Sequence, residues 1–278
     1  MIDITQAVAA RVTRIRTAFN DDIGNPAKIG TGTGFWLKTE EDKYLLVTNR
    51  HNVDPHLLFN DPDGWKLTSV EVELRWVEDE DANDPTKGHT DFLKVSDFES
   101  RLFLSLNDCA LLADPFDERP QQYAHQGMSH FQEQDLAAEQ DLADEMVMLD
   151  PVFFIGFPNT WWDQQRTLPI ARTANVASMG TYHNHAIKTG DVCLVTGLSF
   201  GGSSGSPVVK TPKHIGAGHF DSYFQPPRLV GVMSGHFPFK EQDCPGMPLH
   251  AGLSYFTRST SIIQLVEDAR KSGFGKRD

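Results

Sequence analysis

Two serines stand in a turn suited to nucleophilic chemistry. Residues 201–207 read Gly-Gly-Ser-Ser-Gly-Ser-Pro, between the apolar runs 192–195 and 207–209. A serine attacks well when its hydroxyl is exposed and backbone N–H groups point at the developing oxyanion. Glycines supply the φ angles such a turn needs and remove steric cover. Other groupings are weaker. His183 and His185 could share one strand face, but no third ligand stands at a persuasive spacing. A surface strand is expected there, and no metal. The run 30–34 (GTGTG) lacks the helix that follows a dinucleotide fingerprint. Trp161 and Trp162 are expected to anchor a loop by packing, and Cys109 to be a small buried apolar residue. No cofactor is expected.

The serine turn has two readings. Residues 201–205 fit the G-x-S-x-G elbow of α/β-hydrolases, with Ser203 as nucleophile. That elbow needs a helix after it. Here Pro207, Val208 and Val209 continue as a strand, and residues 210–212 (KTP) end the run. Asp221 or Asp243 with His250 would have to complete that site. Residues 202–207 instead resemble the G-x-S-G-[GS]-P loop of the chymotrypsin clan. In that reading Ser204 is the nucleophile, and the Gly202 and Ser204 amides form the oxyanion hole.

That clan places a His and then an Asp upstream. Residues 46–53 (LVTNRHNV) resemble its base-bearing segment, which assigns the base to His51. Residues 107–112 (NDCALL) resemble its N-D-[IL]-A-[LV]-[LI] strand, which assigns the orienting acid to Asp108. Asp91 and Asp97 precede no comparable strand. Residues 152–158 (VFFIGFP), 229–235 (LVGVMSG) and 253–269 resemble the opening strand, pocket strand and closing elements of the second barrel. The branch most similar is that of the bacterial high-temperature-requirement proteases and glutamyl endopeptidase, by TNRH and GSSGSP. Nothing after Lys271 is expected to form the peptide-binding domain that many of those proteases append.

The resemblance also implies a substrate site. Ser234 would bond the triad Asp, and residues 234–236 (Ser234, Gly235, His236) would pair with substrate as an added strand. Leu198 stands where trypsin-like enzymes carry a selecting Asp. Met233 stands where glutamate-selective relatives carry His. Both imply an apolar specificity pocket. Ser203 replaces the Asp that pairs with a cut N-terminus, so activation by that route is not expected.

The elements that must position these groups are strands. Short apolar runs punctuated by Gly, Pro, Asn and Asp dominate, and residues 70–76 (VEVELRW) alternate apolar and charged. An all-β fold is expected: two antiparallel six-stranded β-barrels, chymotrypsin-like, with a C-terminal helix. The first spans residues 1–114 with His51 and Asp108. An acidic, partly helical connector spans 115–150, and the second barrel with Ser204 and the helix spans 151–278. Helices are expected over 132–146 and 261–271, with a short one over 3–10.

Net charge is −13, which disfavours nucleic acid and anionic membranes as partners. No segment reads as a secretory signal or a membrane span. Three widely spaced cysteines, Cys109, Cys193 and Cys244, fit a reduced, cytoplasmic protein. Residues 120–165 hold no Lys or Arg. A solvated connector is the expected form, with an acidic docking surface for a regulatory protein partner as its functional reading. The expected function is serine endopeptidase action on a protein or peptide substrate. The alternatives are a silent pseudoprotease that binds or senses protein, and an α/β-hydrolase esterase.

Overall fold

The computed structural model describes residues 4–59, 63–76, 89–115, 129–159, 161–178, 182, 191–216, 222–240 and 248–274. A first sheet gathers β1 (Val12–Asp21), β2 (Lys28–Lys38), β3 (Tyr44–Thr48), β4 (Trp65–Trp76), β5 (His89–Lys94), β6 (Leu102–Leu104), β7 (Ala110–Ala113) and β8 (Phe131–Gln132). Its order is β5-β4-β1-β2-β3-β7-β6, with β8 parallel to β2. The second half contributes β9 (Pro151–Gly156), β10 (Ile170–Val176), β11 (Val192–Thr196), β12 (Pro207–Lys210), a hairpin of β13 (Lys213–Gly216) and β14 (Ser222–Gln225), β15 (Arg228–Lys240) and β16 (Pro248–Arg258). Six of these close into a barrel, β10-β11-β16-β15-β12-β9. A helix, Ser259–Lys271, follows β16.

The fold is the expected all-β architecture with a C-terminal helix. The second half forms a six-stranded barrel. In the first half, the described strands number eight, and the edge strands β5 and β6 do not pair with each other.

Strand alternation explains why so many runs are continuously apolar. Successive side chains point to opposite faces of a sheet. In β9, Val152 and Phe154 point into the barrel core, while Phe153 and Ile155 point outward. In β3, Leu45 and Val47 face the same outer layer, and Leu46 faces a separate core with Ile15, Trp36, Val70 and Leu112. Both faces of these strands are buried, so no polar alternation survives in the sequence. The outer layer is shared. Phe35, Leu37 and Leu111 of the first sheet meet Phe153, Ile155, Val209 and Val232 of the barrel. Ile262, Leu265, Val266 and Ala269 of the C-terminal helix complete it.

The acidic connector departs from expectation. Helix forms only over Glu139–Glu145, after a 3-10 turn at Glu133–Asp135. The apolar residues of this stretch are drawn to different places. Phe131 and Leu136 enter the shared layer, and Leu142 enters the barrel core. The Ala137 N–H donates to the Leu229 carbonyl at 3.0 Å. Ion pairs hold the same stretch down: Glu139 to the buried Arg258 at 2.7 Å, and Glu133 to Arg270 at 2.9 Å. Residues 129–150 are therefore a strap pinned at Phe131, Leu136, Ala137 and Leu142, with Val147, Met148 and Leu149 exposed; residues 116–128 lie outside those described, as do His183, His185 and Cys244. The helix expected over 261–271 begins at Ser259, and the short N-terminal one spans Ile4–Ala9.

Leu265 is 2% exposed within the shared layer. Leu265→Ala is expected to cost about 2–5 kcal/mol of stability. Because that layer belongs to both halves, denaturant unfolding followed by far-UV and near-UV signals should remain one transition, shifted as a whole.

Candidate active site

The nucleophile turn is held by its carbonyls, which leaves particular amides free. The Gly201 carbonyl accepts from the Asn159 N–H at 2.8 Å, and the Ser203 carbonyl from the Ser206 N–H at 3.0 Å. In a trans peptide the N–H points opposite to its own plane's C=O. The Gly202 and Ser204 N–H groups are therefore aimed away from these anchors, and neither donates to an acceptor among the described residues. Gly202 (φ +85°) and Gly205 (φ +92°) occupy left-handed backbone. A Cβ on Gly202 would lie 2.4 Å from the Phe157 carbonyl oxygen, and one on Gly205 would lie 1.8 Å from that of Thr33. Ser203 is buried, with its N–H bonded to the Phe200 carbonyl, whereas Ser204 is partly exposed. Strand β12 follows the turn, where a hydrolase elbow requires a helix.

The turn is clamped across the interface between the halves. Thr33 on β2 is fully buried. Its hydroxyl donates to the Gly202 carbonyl at 2.7 Å and accepts the Phe157 N–H at 2.9 Å. Its own N–H donates to the Ser204 carbonyl at 2.9 Å. Asn52 Nδ2 donates to that same carbonyl at 3.2 Å and to Thr48 Oγ1 at 3.0 Å. The chain neighbour of Asn52 is His51. The turn that carries His51 (Arg50–Asn52) thus lies directly against the serine turn.

His51 and Asp108 meet through two bonds. The His51 N–H donates to Asp108 Oδ1 at 3.0 Å, and His51 Nδ1 bonds Asp108 Oδ2 at 2.7 Å. An imidazole whose Nδ1 is held by a carboxylate presents Nε2 outward in a fixed tautomer. Asp108 sits in a tight turn before β7, closed by the Cys109 N–H to the Asn107 carbonyl at 2.8 Å. Arg50 ties the histidine turn to the Ser105 carbonyl at 2.9 Å and to Asp54 at 2.7 Å. Burial pushes the neighbouring Cys109 thiol far up, so it stays protonated and inert.

Ser234 does not bond the Asp108 carboxylate. Its hydroxyl accepts from Asn49 Nδ2 at 2.9 Å and pairs with Thr257 Oγ1 at 2.8 Å. Asn49 and Thr257 in turn donate to the Asp108 backbone carbonyl, at 2.7 and 3.3 Å. Ser234 supports the aspartate turn through that buried polar cluster.

Beside Ser204 lies a pocket of about 250 Å³, walled by Ser199, Phe200, Met233, Gly235, His236 and Tyr255. Leu198 is not part of it. It lies in the loop after β11 and is 49% exposed, while its neighbour Ser199 lines the pocket. Met233 is buried in the barrel core at the pocket wall. Hydroxyls and an imidazole also line the space, so it is not the apolar pocket that Leu198 and Met233 suggested. Trp162 is anchored as expected, edge-on to Phe157 and under the Arg14 guanidinium. Trp161 is 69% exposed and stacks on Phe200.

Removing the Thr33 hydroxyl tests the clamp. Thr33→Val strands two buried groups, at roughly 1–3 kcal/mol each. Chemical denaturation should show that loss, and Thr33→Ser should recover most of it. Gly205→Ala should destabilise more than Thr33→Ser does, since its Cβ collides with backbone that cannot move aside.

No family model matches the sequence, and no curated protein matches it. Solved structures do match in fold. The HtrA-type protease AlgW with tripeptide superposes with a TM-score of 0.54 at 14% identity, over 98% of this chain and 64% of that one. AlgW with decapeptide gives 0.52 at 14%, over 98% and 69%. Deg5 gives 0.53 at 15%, over 96% and 92%. The chain thus spans just under two thirds of the tripeptide-bound AlgW chain. Its fold is that of the trypsin-like serine proteases of the HtrA type.

Proposed function

We propose that this chain is a serine endopeptidase with His51, Asp108 and Ser204 as its catalytic residues. The observation that carries this reading is the pairing of the two-bonded His51–Asp108 unit with a serine turn whose Gly202 and Ser204 amides are unoccupied donors. His51 takes the Ser204 hydroxyl proton as the oxygen attacks the peptide carbonyl, then returns it to the leaving amine. Asp108 keeps Nδ1 protonated and stabilises the imidazolium. The Gly202 and Ser204 N–H groups bind the oxyanion, and water later releases the acyl group from Ser204.

The strand geometry supports a peptide substrate. Strand β15 pairs with β12 only as far as Val232, which leaves Ser234, Gly235 and His236 without a strand partner on that side. An extended peptide can add there as an antiparallel strand. The related-fold AlgW structures carry a tripeptide and a decapeptide. The fold contains no helix among the described residues long and apolar enough to cross a membrane. Cys109 and Cys193 are buried and form no disulfide among the described residues, which supports a reducing, cytoplasmic setting. The strap of residues 129–150 is the natural place for a regulatory protein to act, because its Glu139 reaches Arg258 beside the barrel.

Labelling by a fluorophosphonate tests the nucleophile. Wild type and Ser203→Ala should label, and Ser204→Ala should not. Asp108→Asn should slow labelling by up to about 10⁴-fold. Labelling lost in Ser203→Ala alone would assign the nucleophile to Ser203. An unlabelled wild type would make the chain a binding module that keeps the fold without the chemistry.

A further inference from the structure

The pocket beside Ser204 contains polar groups that the fold itself does not use. Ser199 Oγ is committed: it donates to the Gly235 carbonyl at 3.3 Å and accepts from Ser254 Oγ at 3.0 Å. The Tyr255 hydroxyl and the His236 ring nitrogens are different. Both residues line the pocket, and neither polar group makes a hydrogen bond among the described residues. Glycine at position 235 keeps the tyrosine accessible, since a Cβ there would lie 2.7 Å from the Tyr255 hydroxyl.

Their surroundings keep them uncharged. Burial, and then the Asp108 charge, push the Tyr255 phenol above its ordinary range. Burial holds His236 below its ordinary value. Its ring stacks on His250 at 4.5 Å. His250 is held by the Gly252 N–H donating to Nδ1 at 2.9 Å, a bond that protonation of that nitrogen would break. Among the described residues no lysine, arginine, aspartate or glutamate lines the pocket; the Arg172 guanidinium lies over the Phe200 ring, 4.3 Å from its centroid, and donates to the Leu198 carbonyl at 3.0 Å.

Resting on the peptidase reading above, we infer that this pocket receives the side chain preceding the scissile bond and selects a primary amide, glutamine or asparagine, through the Tyr255 hydroxyl and the His236 imidazole. An amide offers one acceptor and two donors, and the two pocket groups offer a hydroxyl and a neutral ring with one N–H and one lone pair. An aliphatic side chain would cover these two half-buried groups and leave both without partners. A carboxylate would bring charge near Asp108 to a lining that has no cation among the described residues, Arg172 being engaged with Phe200 and the Leu198 carbonyl. A cationic side chain would find no acid among those residues. Sites that hydrogen-bond their substrate reject analogues that cannot reply.

The test uses covalent probes on the full chain. Peptidyl phosphonate esters carrying glutamine, glutamate or leucine at that position are compared with a simple fluorophosphonate that carries no such side chain. The glutamine ester should react at least about tenfold faster than the other two. Tyr255→Phe should reduce that ratio severalfold, as should His236→Phe. If the plain fluorophosphonate reacts but leucine or glutamate esters match glutamine, the amide inference is wrong and the peptidase reading stands. If no probe reacts, the peptidase reading fails and this inference falls with it. The wild-type ratio decides the matter even if a variant does not fold.

Discussion

A base carried by one β-sheet and a nucleophile carried by another act together only if the interface between them is rigid. Productive geometry tolerates about 0.5 Å. In this chain that tolerance depends chiefly on Thr33. One residue uses its N–H and its hydroxyl to fix two carbonyls of the serine turn, and the hydroxyl also holds the segment after β9. Thr48 donates to the Thr33 carbonyl at 2.7 Å, so the clamp itself is anchored. The glycines at 202 and 205 follow from this contact: the turn is pressed so closely against β2 and the Phe157 segment that no side chain fits.

The hydrophobic interior makes the same demand in another way. The layer between the halves is not a thin interface but a core with residues from both sheets and the C-terminal helix. Sliding one half over the other would uncover Phe35, Phe153 and Leu265 together. Polar contacts then set the register that apolar packing leaves undetermined. Asn49, Ser234 and Thr257 form such a register mark, linking β15 and β16 to the Asp108 turn.

Much of this was readable in the sequence because some residues report on their own backbone. The glycines of residues 201–205, and the Asn-Asp before an apolar strand, carry local requirements that survive in any context. Elements flanked by turns, such as β4 and the C-terminal helix, were legible from period alone. The clamp was not. Thr33 lies 169 positions from Gly202, and nothing about a threonine in a strand announces a partner so distant. Tyr255 was hidden for the same reason. Leu198 was misplaced because counting back from a motif fixes position along the chain but not which face the side chain takes. The helix expected over 132–146 forms only over Glu139–Glu145, because tertiary burial of Leu136 outweighed local periodicity in its first part.

The shared core has a further consequence, at synthesis. A ribosome makes β2, β3 and β7 long before it makes Ile262 to Ala269, which cover their outer face. Until then the layer they share with Phe153, Ile155, Val209 and Val232 stays open on the side that the helix covers. The nascent first half is consequently sticky for much of translation, and its escape from aggregation depends on elongation speed and on holding chaperones rather than on its own stability.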